Sequence, residues 1–489
     1  MKKFLLCLLL SPLSASLAQQ PRPLTMQPGA VITLPTGAAP SALAFGDFNQ
    51  DFRNDIAVCQ RGLSSVGVYL QTSGGNFPNP AVGTYATGQG PTGLVTVALG
   101  LSPGRASNDL VAISGPSSVY TLFTNNTDRC GTFTPVVVGP NSNFFGASQT
   151  SLNPQLLTRN MDSDGWADFV YLHDDPTVPF VSGVYWQRLR SNSYVANDFK
   201  TSFRANYRPS AFAMDDFDRD GVLDLVVTSL LTNEFSVVFS APSFNGGPDW
   251  FNTNRVNRKA SAGVRPVRVA TADVNRDNLP DIAIAHEGSA EITVFLNLRN
   301  DQFGSQVSYP LSAAPRQVLL HDLNNDGYPE LVVLTADNRL QVFQHTGAAG
   351  LTRYGTPLTL ATGADPVAVE LADVDGDFVQ DLVVACAGDH TVRIYLNRSL
   401  VTATGTRAPR LAGVEAFPNP ATTQLTVSRP AALRGPLTAT LFDALGREVR
   451  RTEVAAPTST VSVADLPRGV YVLRLAAPAG VMSQRIVVQ

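Results

Sequence analysis

The stretch Asp216–Asp224 reads DFDRDGVLD, and Leu225-Val226-Val227 follows it. Carboxylates stand at positions 1, 3, 5 and 9, with Gly221 at position 6. This spacing suits a hard cation, because Ca²⁺ takes six to eight oxygens and a tight loop aims alternate side chains at one centre. Glycine at position 6 allows the positive φ of a sharp turn. An EF-hand loop would place Glu at position 12, where this chain has Val227, and no helical pattern flanks the loop. The expectation is a Ca²⁺ loop joining two strands of a hairpin.

A single Asp/Asn/Gly loop is also an ordinary turn signal. Here it recurs six times: Asp47–Asp55, Asn160–Asp168, Asp216–Asp224, Asp273–Asp281, Asp322–Glu330 and Asp373–Asp381. The candidate ligands are Asp47, Asn49, Asp51 and Asp55 in the first, and Asn160, Asp162, Asp164 and Asp168 in the second. Asp216, Asp218, Asp220 and Asp224 follow, then Asp273, Asn275, Asp277 and Asp281. Asp322, Asn324, Asp326 and Glu330, and Asp373, Asp375, Asp377 and Asp381, complete the set. Successive starts after the first gap lie 56, 57, 49 and 51 residues apart, and the first gap is 113, two periods. A worn copy fills it. Asn108, Asp109 and Leu110–Ile113 keep the loop's end and its strand, while Leu101, Pro103 and Arg105 replace the earlier ligands. The chain therefore has seven repeats, six able to hold a metal ion.

Each repeat continues alike. A second apolar strand follows the loop, as in Ile292–Leu296, Leu340–Phe343 and Val392–Leu396. A Gly/Asn turn and a third short strand lead to Pro and the next repeat, as at Arg265-Pro266-Val267 and Asp365-Pro366-Val367. About four strands in each unit of about 50 residues is the rhythm of β-propeller blades. The seventh repeat stops at Leu396-Asn397, one strand short, and Ala30–Leu34 resembles the missing outer strand. Residues near Met26–Leu34 are expected to complete the seventh blade and remove an open edge.

The bulk composition agrees. Hydrophobic residues at 44% and charged ones at 16% describe a chain with a real core. A formal charge of −4 argues against a nucleic-acid partner. Of the 40 acidic residues, 20 lie in the six loops, so filling them with divalent ions would turn the charge from −4 to +8. Empty loops should repel themselves and loosen the fold, and metal should stabilise it.

These loops and blades resemble FG-GAP/VCBS repeats, found in integrin α-subunits and in many secreted bacterial proteins. DFDRDGVLDLVV at 216–227 and DLNNDGYPELVV at 322–333 carry the resemblance best. It implies an all-β seven-bladed propeller with up to six structural Ca²⁺. Phe52, Asn278 and Phe378 depart from Gly at position 6, and the two Phe residues make the first and last loops the weakest sites.

At the N-terminus, Lys2-Lys3, the apolar run Phe4–Leu10 and Ser16-Leu17-Ala18 read as a signal peptide over 1–18. The run is too short to span a membrane and Pro12 interrupts it, and no later stretch qualifies. The propeller is expected over 19–400 and a linker over 401–413. The segment 414–489 has alternating strands and Gly turns, the pattern of a small β-sandwich. Its order of Pro418-Asn419-Pro420-Ala421, Leu441–Val449 and Leu466–Leu475 resembles the type A C-terminal sorting domain of type IX secretion. That resemblance implies a Bacteroidetes-type source, recognition by the secretion machinery, and release or attachment at the outer cell surface. A generic adhesive sandwich is the plainer alternative.

Cys59, Cys130 and Cys386 remain after the signal peptide, an odd number. Cys59 and Cys386 would neighbour each other in a closed ring, but their offsets from the loop differ by one residue. They should point to opposite strand faces, and two buried thiols are expected over a bridge.

No catalytic motif stands out. His173, His286, His321, His345 and His390 are scattered with no metal-ligand spacing, and no GxSxG elbow or P-loop is present. Aromatic residues around Asp174–Trp186 and in Phe244–Asn254 could stack on sugar rings or could fill gaps between blades. The favoured expectation is a non-catalytic binding or adhesion module with a carbohydrate or surface-protein ligand. The alternative is a Ca²⁺-dependent, lyase-like polysaccharide-processing enzyme on a propeller scaffold.

Overall fold

The computed structural model describes residues 23–488 except 73, 98–107, 115–118, 127–129, 139–154, 160–167, 174–182, 188–198, 204–207, 241–255, 261–262, 300, 348–353, 378, 400–413, 418–420, 431–432, 434–436, 443–447, 455, 465, 467–468 and 478–479. The chain divides into two compact units, Met1–Leu400 and Val401–Gln489.

The first unit contains seven four-stranded antiparallel sheets, the blades of a propeller. Blade 4 shows the plan. Pro209–Asp215 lies innermost, the Asp216–Asp224 loop turns it into Asp224–Ser229, and Glu234–Val238 and Val256–Ala260 follow outward. The innermost strands of the other blades are Pro40–Gly46, Gly93–Val97, Leu156–Arg159, Pro266–Ala272, Pro315–His321 and Pro366–Ala372. Sheets adjacent in sequence are adjacent in space, and the inner strand of blade 7 returns to that of blade 1. Five of the seven inner strands begin with Pro. A missing N–H is tolerated at the first residue of a strand.

The second strand of a blade reads as an unbroken apolar run because both its faces are covered. In blade 5, Ile282 and Ile284 pack with Val226 and Phe235 of blade 4, whereas Ala283 and Ala285 pack with Leu331 and Val333 of blade 6. Alternation with period 2 sends successive side chains to opposite neighbours, and each finds an apolar surface. Each core layer thus belongs to a pair of blades. The layer between blades 7 and 1 includes Ile32, Leu43, Ile56, Val58, Val383 and Ile394.

Ring closure follows the sequence expectation. Met26–Thr33 pairs antiparallel with Thr391–Asn397, from Met26 opposite Asn397 to Thr33 opposite Thr391, and becomes the outer strand of blade 7. Leu34 N–H donates to the His390 carbonyl at 2.8 Å, and Ala39 N–H donates to His390 Nδ1 at 3.2 Å. The two thiols also separate as the offsets predict. Cys59 packs toward blade 2 and Cys386 toward blade 6, both buried and unbridged.

The second unit holds a three-stranded sheet (Glu415–Phe417, Gln424–Ser428, Thr458–Ser462) and a four-stranded sheet (Glu448–Val454, Leu437–Phe442, Gly469–Ala477, Gly480–Val488). Leu425 and Val427 of the first share one core with Leu441, Leu473 and Ile486 of the second. The signal-peptide and linker segments expected from the sequence lie outside the described residues. Among the described residues no helix is long and apolar enough to cross a membrane.

Candidate metal centre

The loops of blades 1, 4, 5, 6 and 7 are built on one hydrogen-bond frame. The N–H of position 5 donates to a carboxylate oxygen of position 1: Asp51 to Asp47 at 2.9 Å, Asp220 to Asp216 at 3.1 Å, Asp277 to Asp273 at 3.2 Å, Asp326 to Asp322 at 3.1 Å and Asp377 to Asp373 at 3.1 Å. The same N–H also donates to the position 3 side chain, Asn49, Asp218, Asn275, Asn324 or Asp375. The N–H of position 7 donates to position 5 in all five loops, at 2.8–3.0 Å in blades 4 and 7. Each short side chain thus folds back on the turn that carries it, which is the local preference of Asp and Asn. Asn160, Asp162 and Asp164 of blade 3 lie outside the described residues, and Asp168 begins the strand Asp168–His173.

Phe at position 6 of blade 1 takes the same backbone conformation as the glycines and Asn at that position. Phe52 takes φ 66°, beside 65° for Asn278, 88° for Gly221 and 86° for Gly327. Its N–H donates to Asp47 Oδ2 at 2.9 Å, the bond that Gly221 makes to Asp216 at 3.0 Å. The phenyl ring points to water at 76% exposure, so the cost is backbone strain without a clash, about 1 kcal/mol. Phe378 lies outside the described residues. Position 4 is left-handed as well, at Gln50, Arg219, Arg276, Asn325 and Gly376, which the sequence reading missed.

Position 9 is more than a candidate ligand. Asp55, Asp224, Asp281, Glu330 and Asp381 are all fully buried. One oxygen of each accepts the N–H of position 2: Phe48, Phe217, Val274, Leu323 and Val374, at 2.8–3.0 Å in blades 1 and 7. In the aspartates the other oxygen accepts a main-chain N–H at the end of the third strand: Gln71 at 2.8 Å, Ser240 at 2.8 Å, Asn297 at 2.8 Å and Asn397 at 2.7 Å. In Glu330 it accepts Asn324 Nδ2 at 3.1 Å. The position 9 carboxylate therefore latches the loop to the blade. This explains the worn repeat of blade 2, where Asp109 is kept although the earlier ligands are gone. Its Oδ1 accepts Asn125 N–H at 2.8 Å.

The latched residue also joins blades. Asn125 Nδ2 donates to the Phe48 carbonyl at 2.9 Å, Asn297 Nδ2 to Phe217 at 2.8 Å and Asn397 Nδ2 to Leu323 at 2.7 Å, each in the preceding blade. Gln71 Nε2 donates likewise to Val374, from blade 1 to blade 7. The signal was in the sequence: Asn or Gln stands sixteen residues after position 9 in four of the seven repeats.

Arginines at position 4 add clasps between loops. Arg219 donates to the Asn278 carbonyl of the next loop. Arg276 donates to Gly327 O at 3.1 Å and Asp326 O at 2.8 Å and lies over the Tyr328 ring, 4.2 Å from its centroid. A Cβ on Gly327 would meet that guanidinium, and the Arg276 side chain would have to move aside. Tyr328 in turn stacks on buried His345 at 4.5 Å, and burial pushes that imidazole down to about 4. His345 is thus a neutral packing residue beside the blade 6 loop.

Burial dominates the electrostatics. It pushes the carboxyls of Asp55, Asp281 and Asp381 up to about 7 and those of Asp224 and Glu330 up to about 8, against N–H bonds that pull down. Asp47 and Asp322 are raised for the same reason. A bound cation would hold all of these as carboxylates. In blade 4, Asp216, Asp218 and Asp224 each bring an oxygen within 4.8 Å of the others. An all-oxygen set of carboxylates fits a hard divalent ion such as Ca²⁺.

Comparison with known proteins agrees with this geometry. Residues 273–333 and 322–384 match the FG-GAP-like repeat family, and residues 415–489 match the secretion system C-terminal sorting domain. The chain carries FG-GAP-like repeats and a C-terminal type IX secretion sorting domain. The two repeat matches span blades 5 to 7 and the loops at Asp273, Asp322 and Asp373. No curated protein sequence matches the chain. Among solved structures it is similar to a chain of the crystal structure of BBS1N in complex with ARL6DN (8% identity, TM-score 0.48, covering 78% of this chain and 98% of that one). It is also similar to a functionally unknown protein from Desulfotomaculum acetoxidans (12%, TM-score 0.42, 68% and 91%). Raptor from Chaetomium thermophilum aligns at 14% identity and TM-score 0.46, covering 80% of this chain and 30% of that one.

Proposed function

We propose that this protein is a secreted FG-GAP-like propeller, stabilised by Ca²⁺ in its loops, that works as a non-catalytic binding or adhesion module at the outer cell surface. One observation carries the reading. The same frame of carboxylate-to-backbone bonds recurs in all five described metal loops, from Asp51 on Asp47 to Asp377 on Asp373. An active site needs one blade to differ from the rest in its reacting groups, whereas repetition is what a scaffold needs. The sorting domain supplies the route out of the cell. Of the aromatic candidates for stacking on sugars, Tyr185 and Trp186 lie within the strand Gly183–Gln187 of blade 3, and residues 174–182 and 244–254 lie outside the described residues.

The test uses the mature, Ca²⁺-loaded full chain with a panel of insoluble polysaccharides and an outer-surface extract. Depletion of the protein from solution without released oligosaccharide is the expected outcome. Released products that disappear with chelator would overturn the reading and make the protein a polysaccharide-processing enzyme.

A further inference from the structure

Among the described loops, that of blade 7 differs in having one arginine bridge two of its carboxylates, whereas Arg53 in blade 1 meets Asp51 alone, at 3.3 Å. Arg398 sends Nη1 to Asp377 Oδ2 at 2.7 Å and Nη2 to Asp375 Oδ2 at 2.7 Å. These are the position 5 and position 3 carboxylates. With Asp373 they form a group whose oxygens lie within 4.8 Å of one another, as in the loop of blade 4. The Asp375 side chain is 1% exposed, and the turn between Ser65–Tyr69 and Gly83–Ala86 of blade 1 lies against it: a Cβ on Gly75 would lie 3.2 Å from Asp375 Cβ. A cation is therefore already in place between the two carboxylates, donated by the chain. A guanidinium fork bonding two carboxylates is among the stronger ion-pair geometries.

Arg398 is held there from both sides. The residue before it, Asn397, is fixed by Asp381 and by the Leu323 carbonyl, at 2.7 Å each. Its own N–H donates to the Thr25 carbonyl at 2.7 Å, and Thr25 N–H returns to Ser399 Oγ at 3.0 Å. Placement of the guanidinium thus depends on the N-terminal strand that completes the blade. At the same place in the other repeats, seventeen residues after position 9, stand Thr72, Asn126, Tyr185, Ala241, Leu298 and Gly347, none of them cationic.

We infer that in blade 7 the guanidinium of Arg398 takes the place of the metal ion, so that this loop is held shut without Ca²⁺. The inference rests on the reading that other loops, blade 4 among them, do bind Ca²⁺. The seventh loop does not fit a resident ion while Arg398 spans Asp375 and Asp377, since the ion would need the same oxygens.

The test counts bound Ca²⁺ by native mass spectrometry on the mature full chain after dialysis at fixed free Ca²⁺. Wild type is compared with Asp218→Ala, Asp377→Asn and Arg398→Gln. Asp218→Ala is expected to hold one ion fewer than wild type, which reports on the blade 4 loop and on the Ca²⁺ reading itself. Asp377→Asn is expected to hold the same number as wild type, and Arg398→Gln one more. Hydrogen exchange over Asp381–Asn397 should be indifferent to chelator in wild type and rise with chelator in Arg398→Gln. An ion lost in Asp377→Asn, or no ion gained in folded Arg398→Gln, would overturn the inference and leave the blade 4 result standing. Should Arg398→Gln not fold, the Asp377→Asn count decides alone.

Discussion

Asp109→Ala separates the latch from the metal. Asp109 opens the second strand of blade 2, where Leu101, Pro103 and Arg105 stand in place of ligands. The side chain is 1% exposed, and its Oδ1 accepts the N–H of Asn125, itself 5% exposed. Alanine leaves that N–H buried without its acceptor and loosens the residue whose amide reaches Phe48 O in blade 1. A hydrogen bond contributes about 0.5–1.5 kcal/mol, and a stranded donor costs about 1–3 kcal/mol. Relief from burying the carboxylate offsets part of this, so a net loss of about 2–3 kcal/mol is expected. With unfolding entropy of about 2.1 cal/mol/K per residue over a propeller of roughly 375 residues, Tm should fall by about 3 °C. Asp109→Asn keeps an acceptor oxygen and should fall by about 1 °C or less. Calorimetry on the mature protein, in Ca²⁺ and in EGTA, measures both. The shift should be equal in the two buffers because no metal loop is touched. An Asp109→Ala shift that vanishes in EGTA would show position 9 acting through metal and would refute the latch.

Three further outcomes follow from the site. In EGTA the position 9 carboxyls keep protons up to about 7–8, against the ordinary range near 4 when unfolded. Their contribution to stability is therefore full below about pH 4 and is lost as pH rises through about 7–8. The chelated protein should melt higher at pH 5.5 than at pH 8.5, and the gain on adding Ca²⁺ should widen with pH; a Tm in EGTA that climbs over that interval would contradict this. Asn297→Ala removes the bond to Phe217 O and should cost about 1–2 kcal/mol. Its mark is faster hydrogen exchange in the blade 4 loop, and exchange confined to blade 5 would count against the staple. Removing residues 415–489 should leave the propeller inside the producing cell, as fractionation with an antibody would read; undiminished export would deny the sorting role.

Much of this was legible in the sequence because the relevant chemistry is local and repeated. Position 1, 3 and 5 side chains bond to N–H groups within five residues of themselves, so their spacing is the geometry. The closing strand Met26–Thr33 could be assigned because the seventh repeat lacked one. The second strands announced burial on both faces by their unbroken apolar runs. At position 6, Phe52 shows that anchoring its own N–H on Asp47 and that of Arg53 on Asp51 holds a left-handed turn even without glycine.

By itself, then, the sequence determined the number of repeats, the strand order within each blade, the loop frame and the character of the C-terminal unit. All of these depend on neighbours along the chain. Only the tertiary structure decided which atoms the buried groups meet. Asp381 Oδ1 meets an N–H at Asn397, Gln71 reaches Val374, and Arg398 returns to Asp375 and Asp377. Those partners come from another strand or another blade, and closing the ring is what brings them together. A burial cost as large as that of a carboxylate then selects the nearest donor or cation, whatever its distance in sequence.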